Sequence, residues 1–386
     1  MRKYKLITAS VITLLGACSF SGITSIDSGV LDADRPDGTV GPTTFRRVIE
    51  INPPANMTGS VDSVPIAIEL KNDSDFGAAV EKNGNDLLVT DAAGTVLPVE
   101  IESIDKPGGT AVIWVLVPTI ASSITTSITL HYGTRSLLPP RKSPWHGGTD
   151  LVWHFDDIHI DAVGNRTVTD RSPSGFTGTA DDKGVLQLTD GIFGKAARIN
   201  GASIQLADEK SLNRDENDSF TLSLWFKQNS ANGPEDKVFY NGGPANPVTT
   251  GYYIALGSGA WEAAVRDDFG VVRNRTASFG DGDTLGPQGW HHLVMVLDRT
   301  GNGTLRAFID GALNDSISLD DGIGALANTV KARVGGNATF IDGTVDEVRS
   351  MPRAVSADWV MLTHANGSDT NFITIGPHQP APYPEL

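Results

Sequence analysis

Cysteine is almost missing from this chain, with one residue, Cys18, in 386. A single thiol excludes an intrachain disulfide, so the folded parts must be held by apolar cores and polar contacts. Long apolar runs are missing too: beyond the first twenty residues none approaches the ~18 residues of a membrane-spanning helix. Positive charge is scarce, with 30 Lys and Arg against 46 Asp and Glu and a formal net charge of −16. That balance disfavours nucleic acid and anionic lipid surfaces, which are bound through basic side chains, and it suits divalent cations. Also absent are a P-loop, a GxGxxG fingerprint, a GxSxG nucleophile elbow and an HExxH helix.

What is present begins at the N-terminus. Arg2, Lys3 and Lys5 precede residues 6–15, which are mostly apolar and hold no acid and no proline. The stretch has the length of a signal-peptide core and is too short to cross a hydrocarbon layer of ~30 Å. Leu15-Gly16-Ala17-Cys18 follows directly and resembles the lipobox of bacterial lipoproteins. The resemblance implies that 1–18 is a signal peptide and lipobox, and that the Cys18 thiol carries the lipid that anchors the chain to a membrane. Ser19 stands where inner-membrane lipoproteins carry Asp, which implies the outer membrane or cell surface. Losing the signal removes three basic residues and no acid, leaving the mature chain more acidic still.

Residues 19–45 are rich in Gly, Ser, Asp, Thr and Pro without periodicity, the composition of a flexible tether. From residue 46 short alternating segments follow at 48–51, 64–70, 87–90, 96–101, 111–117 and 128–132, several separated by Asn-Gly, Ala-Gly or Pro-Gly-Gly turns. This pattern predicts a small antiparallel β-sandwich over 46–134. Residues 135–149, with Pro139-Pro140 and Pro144, read as a Pro-rich linker. A second series of short, aromatic-rich strands and Gly-rich turns occupies 150–378, the size of a two-sheet jelly roll, before a tail at 379–386. The expected fold class is all-β, a sandwich followed by a larger jelly roll.

Two resemblances sharpen this. Asn85-Asp86-Leu87-Leu88-Val89-Thr90-Asp91, Leu97-Pro98-Val99-Glu100-Ile101-Glu102, Ile113-Trp114-Val115-Leu116-Val117-Pro118 and Leu130-His131-Tyr132-Gly133 resemble a domain of unknown function found in bacterial and archaeal surface proteins. Trp153-His154-Phe155-Asp156, Asp170-Arg171-Ser172-Pro173-Ser174-Gly175, Ser219 to Phe226 (SFTLSLWF) and Gly289-Trp290-His291-His292 come next. Phe308-Ile309-Asp310-Gly311 and Asp342-Gly343-Thr344-Val345-Asp346-Glu347-Val348-Arg349 complete the series. In that order they resemble a laminin G-like, concanavalin A-like jelly roll of the pentraxin type. That resemblance implies a lectin-like module for carbohydrate or protein ligands, with a glycan or surface protein as partner. It also implies a structural Ca²⁺ held by Asp156, Asp170 and Asp346, with Asp157 and Glu347 as substitutes; calcium takes six to eight hard oxygens.

The residues themselves temper these implications. Phe220, Leu222, Leu224 and Phe226 share one face of a strand and Trp225 the other, while residues 293–297 are apolar on both faces, as in a strand covered on each side. Trp153, Trp225 and Trp290 then read as core rather than sugar platforms, and His291-His292 as a ladder pair rather than metal ligands. The turns around Tyr252-Tyr253, Trp261 and 266–275 hold aromatic and Arg side chains able to stack on sugar. No Glu-x-Asp-x-x-Glu pattern of a retaining glycosidase occurs; Glu216-Asn217-Asp218 lacks its third acid. Glu235-Asp236 and Asp346-Glu347 are adjacent and point to opposite faces of a regular strand. No catalytic residue is assigned; a structural envelope protein and a glycan-cleaving enzyme remain the rival readings. Cys18→Ala is expected to abolish acyl labelling and release the protein from the membrane fraction; full retention there overturns the anchor.

Overall fold

The computed structural model describes residues 44–133, 140–145, 147–160, 164–180, 186–208, 212–229, 237–242, 250–257, 260–267, 273–281, 289–319, 322–335 and 341–381. Cys18, the tether up to residue 43, part of the linker, Glu235-Asp236 and the last five residues lie outside them.

The first part holds β1 (Thr44–Ile51), β2 (Ser60–Leu70), a short helix α1 (Ser74–Ala79), β3 (Leu88–Asp91), β4 (Val99–Asp105), β5 (Thr110–Ala121) and β6 (Thr126–Gly133). Strands β3, β6 and β1 form one antiparallel sheet, and β4, β5 and β2 form the sheet that faces it. In β5 the alternation is strict. Ala111, Ile113, Val115 and Val117 enter the core between the sheets, whereas Val112 and Trp114 join a separate buried cluster on the other face. Asp73 caps α1 by accepting from the Phe76 N–H at 3.0 Å, and it pairs with Arg47 at 2.6 Å.

The second part begins with β7 (Leu151–Trp153), β8 (His159–Ile160), β9 (Arg166–Val168), β10 (Gly178–Ala180), β11 (Gln187–Asp190), β12 (Lys195–Asn200), β13 (Ile204–Leu206) and β14 (Phe220–Gln228). It continues through β15 (Lys237–Asn241), β16 (Gly251–Gly257), β17 (Ala260–Asp267), β18 (Arg273–Asp281), β19 (His291–Asp298), β20 (Thr304–Ile309), β21 (Ala312–Ser318), β22 (Arg333–Val334) and β23 (Asp342–Met351). Helix α2 (Ala357–Ser368), β24 (Ile373–Ile375) and β25 (Gln379–Pro380) complete the chain. Among the described residues one jelly-roll sheet runs β18-β17-β16-β15-β22-β13-β10-β9-β8, and the other runs β11-β12-β23-β14-β19-β20-β21 with β7 on β23. The fold is all-β, as the strand pattern predicts.

Phe220, Leu222, Leu224 and Phe226 of β14 and Leu293, Met295 and Leu297 of β19 fill the core between these sheets. Val294 and Val296 point the other way, into the core of the small sandwich, together with Phe308, Met351 and the buried face of α2. The covering that a strand apolar on both faces requires is therefore supplied by the helix and by the N-terminal domain. Trp153 and Trp225 are buried as expected. Trp290 departs from expectation: it is half-buried, outside any strand, with the Lys227 ammonium 5.2 Å from its ring centre.

The C-terminus also departs from the expected boundaries at 378. Ile373–Ile375 and Gln379–Pro380 do not join the jelly roll; they pair antiparallel with β1, Ile49 opposite Ile375 and Phe45 opposite Pro380. The reason is an open strand edge: without them β1 would present unpaired backbone groups on that side. Helix α2 carries the chain across. Ser356 caps it by accepting from the Trp359 N–H at 3.1 Å, and the Asn366 amide exchanges two hydrogen bonds with the Ala67 backbone at 2.7 and 2.9 Å. Asp358 accepts from the Gly59 N–H at 2.8 Å. The two domains thus share one core. Trp359→Ala, which empties that shared core, is expected to cost about 3–5 kcal/mol. Urea unfolding followed by circular dichroism should still show one transition; two transitions would contradict the shared core.

Candidate functional site

The three carboxylates expected to bind one cation each hold backbone instead. Asp170 accepts from the Val152 and Ser172 N–H groups through Oδ1, both at 2.8 Å, and from Ser172 Oγ and the Phe176 N–H through Oδ2, both at 2.7 Å. These four bonds fasten the 170–176 turn to β7 and occupy both oxygens. Asp346 accepts from the Ile192 N–H at 2.7 Å and the Glu347 N–H at 2.9 Å. Asp156 accepts from the Lys195 N–H, and Asp157 pairs with Arg171 at 2.8 Å.

The Asp, Glu and His side chains that do converge are Glu102, His154 and Glu347, whose ligand-type atoms lie within 4.8 Å of one another. They meet at the seam between the outer face of the β4-β5-β2 sheet and the jelly roll. Around them lies an apolar cluster of Ala67, Val112, Trp114, Trp145, Val152 and Phe193. His154 Nδ1 donates to Glu347 Oε1 at 2.7 Å, and Arg349 donates to Glu347 Oε2 at 2.5 Å. Trp114 Nε1 donates to Glu102 at 2.6 Å and Trp145 Nε1 to Glu100 at 2.5 Å. The Arg349 guanidinium lies 4.2 Å from the Trp114 ring centre and 5.0 Å from that of Trp145, and His154 stacks on Trp114 at 5.5 Å. An open cleft of about 650 Å³ lined by Glu100, Glu102, Asp170 and Arg171 borders this seam.

A backbone irregularity brings Glu347 here. In β23 the pairing with β14 shifts register between Ser223 and Trp225, and Glu347 takes a left-handed φ of 51°. A bulge of this kind re-aims side chains. The regular-strand expectation that Asp346 and Glu347 face apart therefore fails, and both carboxylates reach the seam. Gly194, at φ 42°, provides the remaining room. A Cβ there would stand 2.6 Å from both Asp156 oxygens and 2.7 Å from Glu102 Oε1, so these two carboxyls close over the glycine.

The electrostatics separate the acids. Burial acts to raise the Glu347 pKa, but the charges of His154 and Arg349 outweigh it and hold the pKa below the ordinary value. Glu102 is pushed well above its ordinary value, first by burial, then by the charges of Glu347 and Asp156. Burial and then Glu347 do the same to Asp346, and burial raises Asp156.

These residues do not fit calcium. Asp170 has no free oxygen, and the converging set contributes an imidazole nitrogen and a carboxylate already held by Arg349, whereas Ca²⁺ requires six to eight hard oxygens. Other expected regions are core. Tyr252 and Trp261 are buried, and Tyr253 bonds Glu262 at 3.2 Å; the side chains of 273–275 lie outside the described residues. His292 packs between Trp225 and His364, with burial lowering its pKa well below the ordinary value. Sequence reasoning passed over Glu100, Glu102, Trp114, Trp145 and Arg349. Their signal was Glu100-Ile101-Glu102, which alternation alone assigns to a solvated face.

Residues 199–361 match the concanavalin A-like lectin/glucanases superfamily in its laminin G form, and residues 83–168 match a domain of unknown function, DUF2341. No significant match was found among curated proteins. Among solved structures, the binding domain of Paraclostridial Mosquitocidal Protein 1 is 19% identical, with 58% of this chain and 53% of that one covered at a TM-score of 0.45. Domain 4 of AbnA, a GH43 extracellular arabinanase from Geobacillus stearothermophilus in complex with arabinotriose, is 21% identical over 55% of this chain and 96% of that one, TM-score 0.38. The receptor binding domain of botulinum neurotoxin D is 13% identical over 56% and 52%, TM-score 0.41. The chain thus spans about half the length of the first and third of these.

The acid cluster makes stability depend on pH. Glu102 and Asp346, with raised pKa values, keep protons in the fold that the unfolded chain releases in the ordinary carboxylate range. Stability therefore falls as pH rises from that range through their folded-state values. Glu347 acts oppositely, contributing above its unfolded value and failing only as pH drops through its lowered one. Buried neutral histidines such as His292 oppose the acids over the same pH range, so the contribution of Glu102 is read by substitution. Glu102→Gln, which keeps an acceptor for Trp114, is expected to raise the melting temperature more at pH 8.5 than at pH 5.5. An equal shift at the two pH values would rule out Glu102 as a source of pH dependence.

Proposed function

We propose that this chain, a DUF2341 domain followed by a laminin G-like, concanavalin A-like domain, is a lipid-anchored surface protein that binds carbohydrate or protein ligands and catalyses no reaction. The observation that carries the reading is the two-sheet jelly roll whose residues 199–361 match a lectin-type superfamily. A fold alone hosts many functions, so the carboxylates were weighed as well. Glu102, Asp346 and Glu347 are buried among Trp114, Phe193 and His154, and Asp170 and Asp346 are bonded to backbone N–H groups. A glycosidase needs two carboxyls flanking a substrate bond; here Asp170 and Asp346 hold jelly-roll backbone, and Glu102 and Glu347 lie buried at the seam.

In this reading Cys18 supplies the anchor, residues 19–45 the reach, and the rigid pair of domains the presented surface at the outer membrane or cell surface. A glycan array probed with the full chain, with cross-linked cell-surface protein as a parallel arm, tests the proposal. Saturable binding in either arm is the expected result. Turnover of a polysaccharide abolished by one carboxylate change would replace it with an enzyme, and no binding in either arm would leave a structural envelope protein.

A further inference from the structure

A second cleft lies along the same seam, about 200 Å³ in volume and walled by β2, β5, Pro144 and Trp145, Gly147 to Thr149, the end of β23 and α2. A water molecule takes about 30 Å³ of liquid, so the space is that of one pyranose ring rather than of a lone ion.

The cleft has a chemistry unlike the rest of the molecule. In a chain of 46 acids and 30 bases, no carboxylate among the described residues lines it, and two guanidinium groups, Arg349 and Arg353, do. Arg349 is committed to Glu347 at 2.5 Å. Arg353 is exposed, and no ion pair to it is seen among the described residues. Leu116 and Pro65 supply an apolar wall, and Gly147, Gly148 and Thr149 form an open polar rim with Gly147 at φ 83°. Ser63 faces this space with a left-handed φ of 52°, a strained conformation of the kind that collects at ligand sites.

From this we infer that the cleft binds a carboxylate-bearing sugar, a uronic or sialic acid residue at a glycan terminus, with the carboxylate on Arg353. The inference rests on the glycan-binding form of the reading above and adds where the sugar sits and what charge it carries. Arg–carboxylate pairing gives the charge selection. The hydroxyls meet the polar rim, and the C–H face of the ring lies on Leu116 and Pro65.

The experiment is a glycan array carrying neutral, uronic-acid and sialylated glycans, probed with the full chain and with its Arg353→Gln and Arg353→Lys forms. Equal melting temperatures of the three would show that this exposed position leaves the fold intact. The expected result is binding confined to acidic glycans, lost by about tenfold or more in Arg353→Gln, the loss of one charge-assisted hydrogen bond, and partly regained in Arg353→Lys. Acidic glycans bound equally by Arg353→Gln would overturn this site and leave the lectin reading standing. Binding of neutral glycans alone would overturn the ligand class. No glycan bound by the unaltered chain would overturn the glycan-binding reading itself.

Discussion

The β4-β5-β2 sheet has apolar side chains on both faces, and both must be covered. One face closes on the β3-β6-β1 sheet. The other, with Ala67, Val112 and Trp114, closes on Val152 and Phe193 of the jelly roll. The jelly roll has the same need on the outer face of β19, where Val294 and Val296 are met by α2 and the small domain. Each domain thus supplies the missing layer of the other. A stack of covered sheets buries more of its chain than two separate sandwiches would, which favours one cooperative unit. Connectivity follows from this: the chain leaves the jelly roll through α2 to finish a sheet that it began more than 300 residues earlier.

Polar groups trapped in that seam decide how the layers register. Burying an ion pair is weakly stabilising at best, since desolvation offsets attraction, while stripping one partner is costly. Glu347, His154 and Arg349 therefore contribute more to position than to stability. Any slide of the sandwich over the jelly roll would pull Trp114 from the Arg349 guanidinium and the His154 ring, and Glu102 from His154. A left-handed Glu347 and a left-handed Phe155, at φ 69°, sit at the same place. Strain concentrated at one seam is tolerated when the surrounding contacts over-determine it.

Much of the architecture was legible in the sequence, and the reason is periodicity. HHLVMVLD announced a central strand because both of its faces are apolar, and the structure places cover on both sides. What alternation cannot show is which partner covers an outward face. Glu100 and Glu102 look solvated by pattern because acids on one face of an edge strand usually are; only docking turns them inward. Asp346 and Glu347 were assigned to opposite faces by the rule for regular strands, and one bulge cancels that rule. Ile373–Ile375 was too short to declare its sheet, because three residues fit any open edge.

The scarcity of cysteine gives these acids their meaning. A chain with a single thiol has no intrachain covalent staple. Carboxylates fill that role by gathering backbone N–H groups: Asp170 takes three of them and a hydroxyl, Asp346 ties the 191–193 turn to β23, and Asp358 ties α2 to Gly59. Asp170, with both oxygens taken by four donors, is wholly committed to that role. The Arg353 cleft has the opposite character: its described lining holds guanidinium groups and no carboxylate, and Arg353 has no ion pair among the described residues.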